Sequence, residues 1–181
     1  YLIDHLLDSG KLTKEDLRSF RPSVCNRLDR NTSGLVAAGC SLAGLQKLSA
    51  MFKDRSLHKY YLCVVSGSVR EKKRIEGFLK KDEKTNQVTI SQRELPDSAP
   101  ICTEYEPLME TGSYTLLKVT LITGRTHQIR AHLSSIGHPI LGDDKYGDRA
   151  LNRQLGLRRQ QLWATRLVFH ADGVLAEFDR V

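Results

Sequence analysis

Apolar and polar residues change their spacing repeatedly along this chain of 181 residues, and each change marks an element. Between residues 58 and 67, Tyr61, Cys63 and Val65 share one face of an extended segment while Tyr60, Leu62 and Val64 share the other. Both faces are apolar, which predicts a central strand. Residues 35–39 read as a short buried strand, and Val88 with Ile90 as another. Residues 101–108 and 114–122 predict an antiparallel pair joined near Gly112, with Leu117, Val119 and Leu121 on one face of the second strand.

Helical spacing appears in fewer places. A short helix opens the chain at Leu2 and stops at Gly10, and Thr13 with Asp16 three residues later forms a capping-box-like start for a further turn. Ser41 caps a helix whose Leu42, Leu45, Leu48, Met51 and Phe52 make the apolar stripe, with Lys47 and Lys53 for its wet face. Ile129, Leu133 and Ile136 make the stripe of a later helix that Gly137 ends. The basic stretch 70–84 reads as a surface excursion. The tail alternates through Leu167 and Phe169, then Val174, Ala176 and Phe178, as a closing hairpin around Asp172 and Gly173. Strands in runs with a few helices between them predict an α+β fold with a mixed, mainly antiparallel sheet flanked by helices and loops. No repeat or dividing linker is evident, so residues 1–181 are expected to form one domain.

Composition narrows the class. With 40% hydrophobic and 27% charged residues and no apolar run near the ~20 residues that cross a bilayer, the chain reads as a soluble globular protein with no membrane partner. Its formal charge of +7 favours polyanionic partners, although solvated lysines on an ordinary surface give the same figure. Cys25, Cys40, Cys63 and Cys102 stand singly, without zinc-ribbon spacing, which fits a reducing cytoplasm.

Two segments carry candidate chemistry. Asp29 sits between Arg27 and Arg30 and just before Asn31, Thr32, Ser33 and Gly34, residues that favour a tight turn into a strand. A guanidinium beside a carboxylate favours the charged form, which suits a nucleophile or base; a turn-capping Asp with a surface ion pair is the plainer account. Gly124, Arg125, Thr126 and His127 lie where a strand ends and a helix begins, with free amides that welcome an anion. Arg125 is either a bidentate partner for Asp29 or an exposed arginine on a capped helix. His127, His132 and His138 do not share one helical face, so no metal is expected. Tyr60 and Tyr61 point to opposite faces of their strand, and packing accounts for either; Lys59 reads as a strand-edge residue and Cys63 as core.

Taken in order, three blocks resemble those of the RluA-type RNA pseudouridine synthases. They are Arg27-Leu28-Asp29-Arg30-Asn31-Thr32-Ser33-Gly34, then residues 59–67 with Lys59, Tyr61, Cys63, Val65 and Gly67 at alternate positions, then Gly124-Arg125-Thr126-His127-Gln128-Ile129-Arg130 with residues 137–143 behind it. The resemblance implies the pseudouridine synthase catalytic fold and isomerisation of uridine to pseudouridine in RNA without metal or organic cofactor. It implies Asp29 as the nucleophile, Tyr61 packed on the base and helping to remove the carbon 5 proton, and Arg125 paired with Asp29. Arg27, Arg30, Lys59, Thr126, His127 and Arg130 are the expected RNA-binding residues, with Arg27 supporting distorted RNA.

Large-subunit ribosomal RNA is the expected substrate of a cytoplasmic, monomeric enzyme; transfer RNA and a noncatalytic RNA-binding module are the alternatives. Asn26 and Asn31 stand where the family commonly has His and Asp, and Cys63 where Ala is usual. The family's Lys-Pro-rich first block has no counterpart before Tyr1, and its last strand is expected to be cut short at Val181, so a piece incomplete at both ends and lacking an N-terminal S4-like domain is expected.

Overall fold

Strand-forming residues dominate the middle of the chain, and in the computed structural model, which describes residues 1–169 and 175, they build a seven-stranded sheet. The first part holds α1 (Leu2–Asp8), α2 (Asp16–Ser19), β1 (Ser23–Val24), β2 (Ser33–Gly34), β3 (Ala38–Gly39) and α3 (Leu42–Asp54). Five strands follow: β4 (His58–Ser66), β5 (Lys73–Asp82), β6 (Gln87–Ser91), β7 (Ser98–Glu110) and β8 (Tyr114–Leu121). The helices α4 (Gln128–Ser135) and α5 (Arg149–Gln154) then lead to β9 (Leu162–Val168). Of the expected closing hairpin, Leu167 lies in β9, whereas its turn at Asp172 and Gly173 and its second arm through Val174, Ala176 and Phe178 lie outside the described residues.

Contacts group the described residues into two compact units interleaved in sequence: residues 1–28, 36–57, 168, 169 and 175 form one, and residues 29–35 and 58–167 the other. In the first, Ser41 Oγ accepts the Gly44 N–H at 3.1 Å and starts α3, which buries Leu48 and Met51. Leu42, expected in that stripe, is 56% exposed because it stands at the first position of the helix. Thr13 and Asp16 form the reciprocal cap: Asp16 Oδ2 accepts the Thr13 N–H at 2.9 Å and Thr13 Oγ1 accepts the Asp16 N–H at 3.2 Å.

The second unit contains the large sheet, in the order β2-β9-β4-β8-β7-β5-β6. Pairing is antiparallel for β4 with β8, β7 with β8, and β5 with both β6 and β7, whereas β2 runs parallel to β9. This is the mixed, mainly antiparallel α+β arrangement that the spacing predicts. Central β4 buries Cys63 and Val65 completely, and Leu117, Val119 and Leu133 are equally closed to solvent. Each such aliphatic side chain contributes ~1.5–3 kcal/mol by leaving water.

Two expectations fail. Residues 70–84 are no surface excursion: Lys73–Asp82 is a ten-residue strand, in which Ile75, Gly77 and Leu79 are buried and alternate with Arg74, Glu76, Phe78 and Lys80. Residues 35–39 are not one buried strand either. Ser33 and Gly34 pair with Trp163 and Ala164, whereas Ala38 pairs with Val24, so the chain changes partner between them and leaves Leu35 and Val36 nearly half exposed.

Gly34 has φ +117°, and a Cβ there would run into the Ala164 backbone. Its absence lets Leu35 N–H reach Ala164 O at 2.9 Å and holds the segment that follows Asp29. Gly34→Ala should therefore cost about 3 kcal/mol. In a thermal melt this should appear as a fall of about 6–12 °C; an unchanged melting temperature would show that β2 does not depend on this approach.

Candidate active site

Asp29 stands in the turn that enters β2, where Thr32 N–H closes on Asp29 O at 3.0 Å and Asn31 takes the left-handed conformation at φ 71°. Gln160 Nε2 donates to Thr32 Oγ1 at 2.6 Å and ties the turn to the residues just before β9. The Asp29 side chain is 25% exposed, so its carboxylate is held from one side and open on another.

What holds it is Arg130 of α4. Its Nη1 donates to Asp29 Oδ2 at 3.1 Å, while its Nε and Nη2 donate to Asp143 Oδ2 and Oδ1 at 2.6 and 3.0 Å. The guanidinium is thus fixed by a bidentate bond to one acid and offers its remaining edge to the other. Burial works against the charge of Arg130, but its bonds to Asp143 and Asp29 outweigh that and raise its pKa. Burial likewise opposes ionisation of Asp143, yet Arg130 and the backbone N–H groups of Tyr146 and Lys145 hold its carboxyl below the ordinary range.

The expected pairing of Asp29 with Arg125 is therefore corrected to Arg130. Arg125 is exposed, and its backbone N–H, not its guanidinium, is engaged, donating to Gln128 Oε1 at 3.1 Å. That carboxamide also accepts from Thr123 Oγ1 and donates to Cys102 O and Thr103 Oγ1, which uses its full capacity and fixes the loop that launches α4. Helical phase explains the exchange. Arg130 flanks Ile129 and lies one turn before Leu133, on the buried side of α4, whereas Arg125 precedes the helix.

Tyr61 lies within reach of the Asp29 charge. Burial, and then the charge of Asp29, push its phenol pKa up, so at neutral pH it is an uncharged ring and an O–H donor. Tyr146 packs its ring on Arg130, with the guanidinium carbon 5.2 Å from the centroid, and its hydroxyl lies 2.9 Å from His127 Nδ1. Lys59 lies near the same loop, since a Cβ on Gly124 would meet its Nζ. Thr126 is half-buried there, Arg30 is exposed, and Arg27 is exposed in the other unit.

The three histidines have separate partners: His127 meets Tyr146, His132 Nδ1 meets Thr103 Oγ1, and His138 Nδ1 meets Ser66 O. Among the described residues no three His, Cys, Asp or Glu side chains gather as a metal site. Cys63 is core, its thiol pushed up by burial and inert as a nucleophile. Asp143 and Tyr146 were not anticipated as part of the site. A charged residue at the edge of an apolar helical stripe is the signal that points to them, since a buried Arg130 requires a buried acid.

Residues 4–135 match the protein family described as RNA pseudouridylate synthase. The chain is 36% identical over 164 residues to the ribosomal large subunit pseudouridine synthase C of Vibrio parahaemolyticus, covering 86% of this chain and 51% of that protein. It is 35% identical over 128 residues to the ribosomal large subunit pseudouridine synthase D of Borreliella burgdorferi, covering 70% of this chain and 39% of that one. Among solved structures, human RNA pseudouridylate synthase domain containing 1 superposes with a TM-score of 0.73 at 26% identity, over 81% of this chain and 63% of that one. The chain spans about half the length of the curated relatives it matches.

Asp143→Asn should remove one of two anions from a buried cation and cost about 3–5 kcal/mol. Because the folded pKa of Asp143 lies below its ordinary 3.8, its contribution is present above that value and lost as pH falls through the folded one. Urea midpoints measured from neutrality to well below pH 3.8 should show an acid limb in the wild type that shrinks in Asp143→Asn. An identical limb in both would assign acid sensitivity elsewhere.

Proposed function

The chain belongs to the RNA pseudouridylate synthase family, and on that premise we propose that it is the catalytic part of an enzyme that isomerises uridine to pseudouridine in large-subunit ribosomal RNA. The observation that carries the reading is the Asp29 carboxylate, bound by Arg130 Nη1 at 3.1 Å, partly open to solvent and near enough to Tyr61 to shift it. A noncatalytic RNA-binding module would have no need of a buried arginine to orient an accessible acid. The relatives named for the large ribosomal subunit support that substrate.

The uracil must first leave its stack, at a cost of a few kcal/mol. The basic surface then holds phosphates without reading sequence, and the extracted base and RNA shape supply selectivity. In the reaction, Asp29 assists cleavage of the bond between uracil N1 and ribose C1′, the base turns, and a bond forms from C5 to C1′. The proton leaves C5 and N1 regains one, so no outside reactant is consumed. Tyr61, a neutral phenol, serves as a ring against the base and as a hydroxyl beside Asp29, not as a standing phenolate. Four unpaired cysteines and the absence, among the described residues, of a helix able to cross a membrane are compatible with a cytoplasmic site of action.

The test is pseudouridine mapping of total RNA from cells lacking the gene, restored with wild type, Asp29→Ala, Arg130→Met or Arg125→Met. Wild type should restore a ribosomal site, and Asp29→Ala and Arg130→Met should lower its rate of formation by about a thousandfold or more. Arg125→Met should stay within about tenfold of wild type, since its side chain does not hold the acid. Restoration by Asp29→Ala would remove Asp29 from the chemistry, and recovery of a transfer RNA site alone would redirect the substrate.

A further inference from the structure

His127 and Tyr146 are joined by a bond that restricts where protons can sit. Tyr146 Oη accepts the Val88 N–H at 3.0 Å, which occupies one lone pair of the hydroxyl. His127 Nδ1 lies 2.9 Å from the same oxygen, with the two rings edge to face at 5.6 Å. If the hydroxyl donates its hydrogen to Nδ1, its hydrogen and one lone pair are both engaged and the proton of the neutral imidazole is on Nε2. If Nδ1–H donated instead, it would take the second lone pair, and the hydroxyl hydrogen would have no acceptor among the described residues.

The rest of Tyr146 is equally committed. Its backbone N–H donates to Asp143 Oδ1 at 3.0 Å, its carbonyl accepts from Ser134 Oγ at 2.8 Å, and its ring backs the Arg130 guanidinium at 5.2 Å. One residue therefore touches the acid that orients Arg130, Arg130 itself, and the imidazole that follows Arg125 and Thr126. His127 is set at this point by a left-handed backbone, φ 53°, at the start of α4.

We propose that Tyr146 is a positioning residue that fixes His127 as the neutral Nε2–H tautomer, so that the imidazole presents a hydrogen-bond donor to an oxygen of the target nucleotide beside Asp29 and Arg130. The nucleotide contact rests on the synthase reading; the tautomer does not. Charges that act on His127 come from Asp29 before β2, Arg130 on α4, and Asp143 and Lys145 beyond α4, two of each sign. Burial is the largest influence and lowers its pKa below the ordinary 6.5, in keeping with an uncharged ring at neutral pH.

The tautomer is read directly by long-range proton–nitrogen correlation spectra of the intact chain labelled in its histidines, with His127→Gln to assign the signal. The wild type should show a protonated Nε2 and an unprotonated Nδ1, titrating below 6.5. Tyr146→Phe keeps the ring on Arg130 and removes only the hydroxyl. It should mix the tautomers and raise the titration by about half a unit or more, and the acid limb of kcat for pseudouridine formation should move up with it.

A wild-type Nδ1–H tautomer, or a Tyr146→Phe spectrum and acid limb unchanged from wild type, would overturn the inference. Should Tyr146→Phe fail to fold, the wild-type spectrum decides alone. The Nε2–H tautomer with the expected response to Tyr146→Phe, in a protein that forms no pseudouridine, would support the role of Tyr146 and overturn the synthase reading instead.

Discussion

A guanidinium that is 8% exposed cannot be left unpaired, and the second unit is arranged around that requirement. Arg130 sits on the inner side of α4, so two carboxylates must come to it from elsewhere in the chain. Asp143 arrives from the loop after α4 and takes two N–H groups; Asp29 arrives from the turn before β2 and takes a third. The two acids are not equivalent. Asp143 is closed to solvent and accepts two backbone N–H groups besides, whereas Asp29 keeps a quarter of its surface open. One acid orients the arginine and the other is oriented by it.

This division has a chemical consequence. A carboxylate bound to a guanidinium along its full fork would be well placed but weakened as a nucleophile, because its lone pairs would be engaged. Asp143 takes the bidentate bond, and among the described residues Asp29 accepts one N–H, from Arg130 Nη1 to Oδ2. Tyr61 and His127 both feel the Asp29 charge, which places an aromatic ring and an imidazole near the same carboxylate.

Much of this arrangement was legible before any coordinates. The doubly apolar run from Tyr60 to Val65 marks a central strand, and the blocks around Asp29, Tyr61 and Arg125 include the segments that carry Asp29 and Arg130. The reading failed where a side chain's environment depends on distant partners. Arg125 and Arg130 are both arginines of one block, and only the phase of α4 against the sheet decides which is buried. The lysines of β5 hid its alternation, because Ile75, Gly77 and Leu79 include a glycine that carries no hydropathy signal. At residues 35–39 apolar character suggested burial, but the change of pairing partner after Gly34 is set by Trp163 and Ala164, some 130 positions later in the sequence. Asp143 lies at the end of the third block, and nothing local reveals that its partner is thirteen residues earlier.

The span between Asp29 and Arg130 also orders events in time. They are 101 residues apart, and β2 finds its place only against β9, which comes later still. At about 5–20 residues per second, a ribosome takes roughly 5–20 s to make the stretch that separates acid from arginine. During that interval Asp29 is an ordinary aspartate in water. Asp29 meets its arginine only after α4 has been made, and its turn is fixed only after β9, so the surroundings of this carboxylate are set by segments that leave the ribosome long after it.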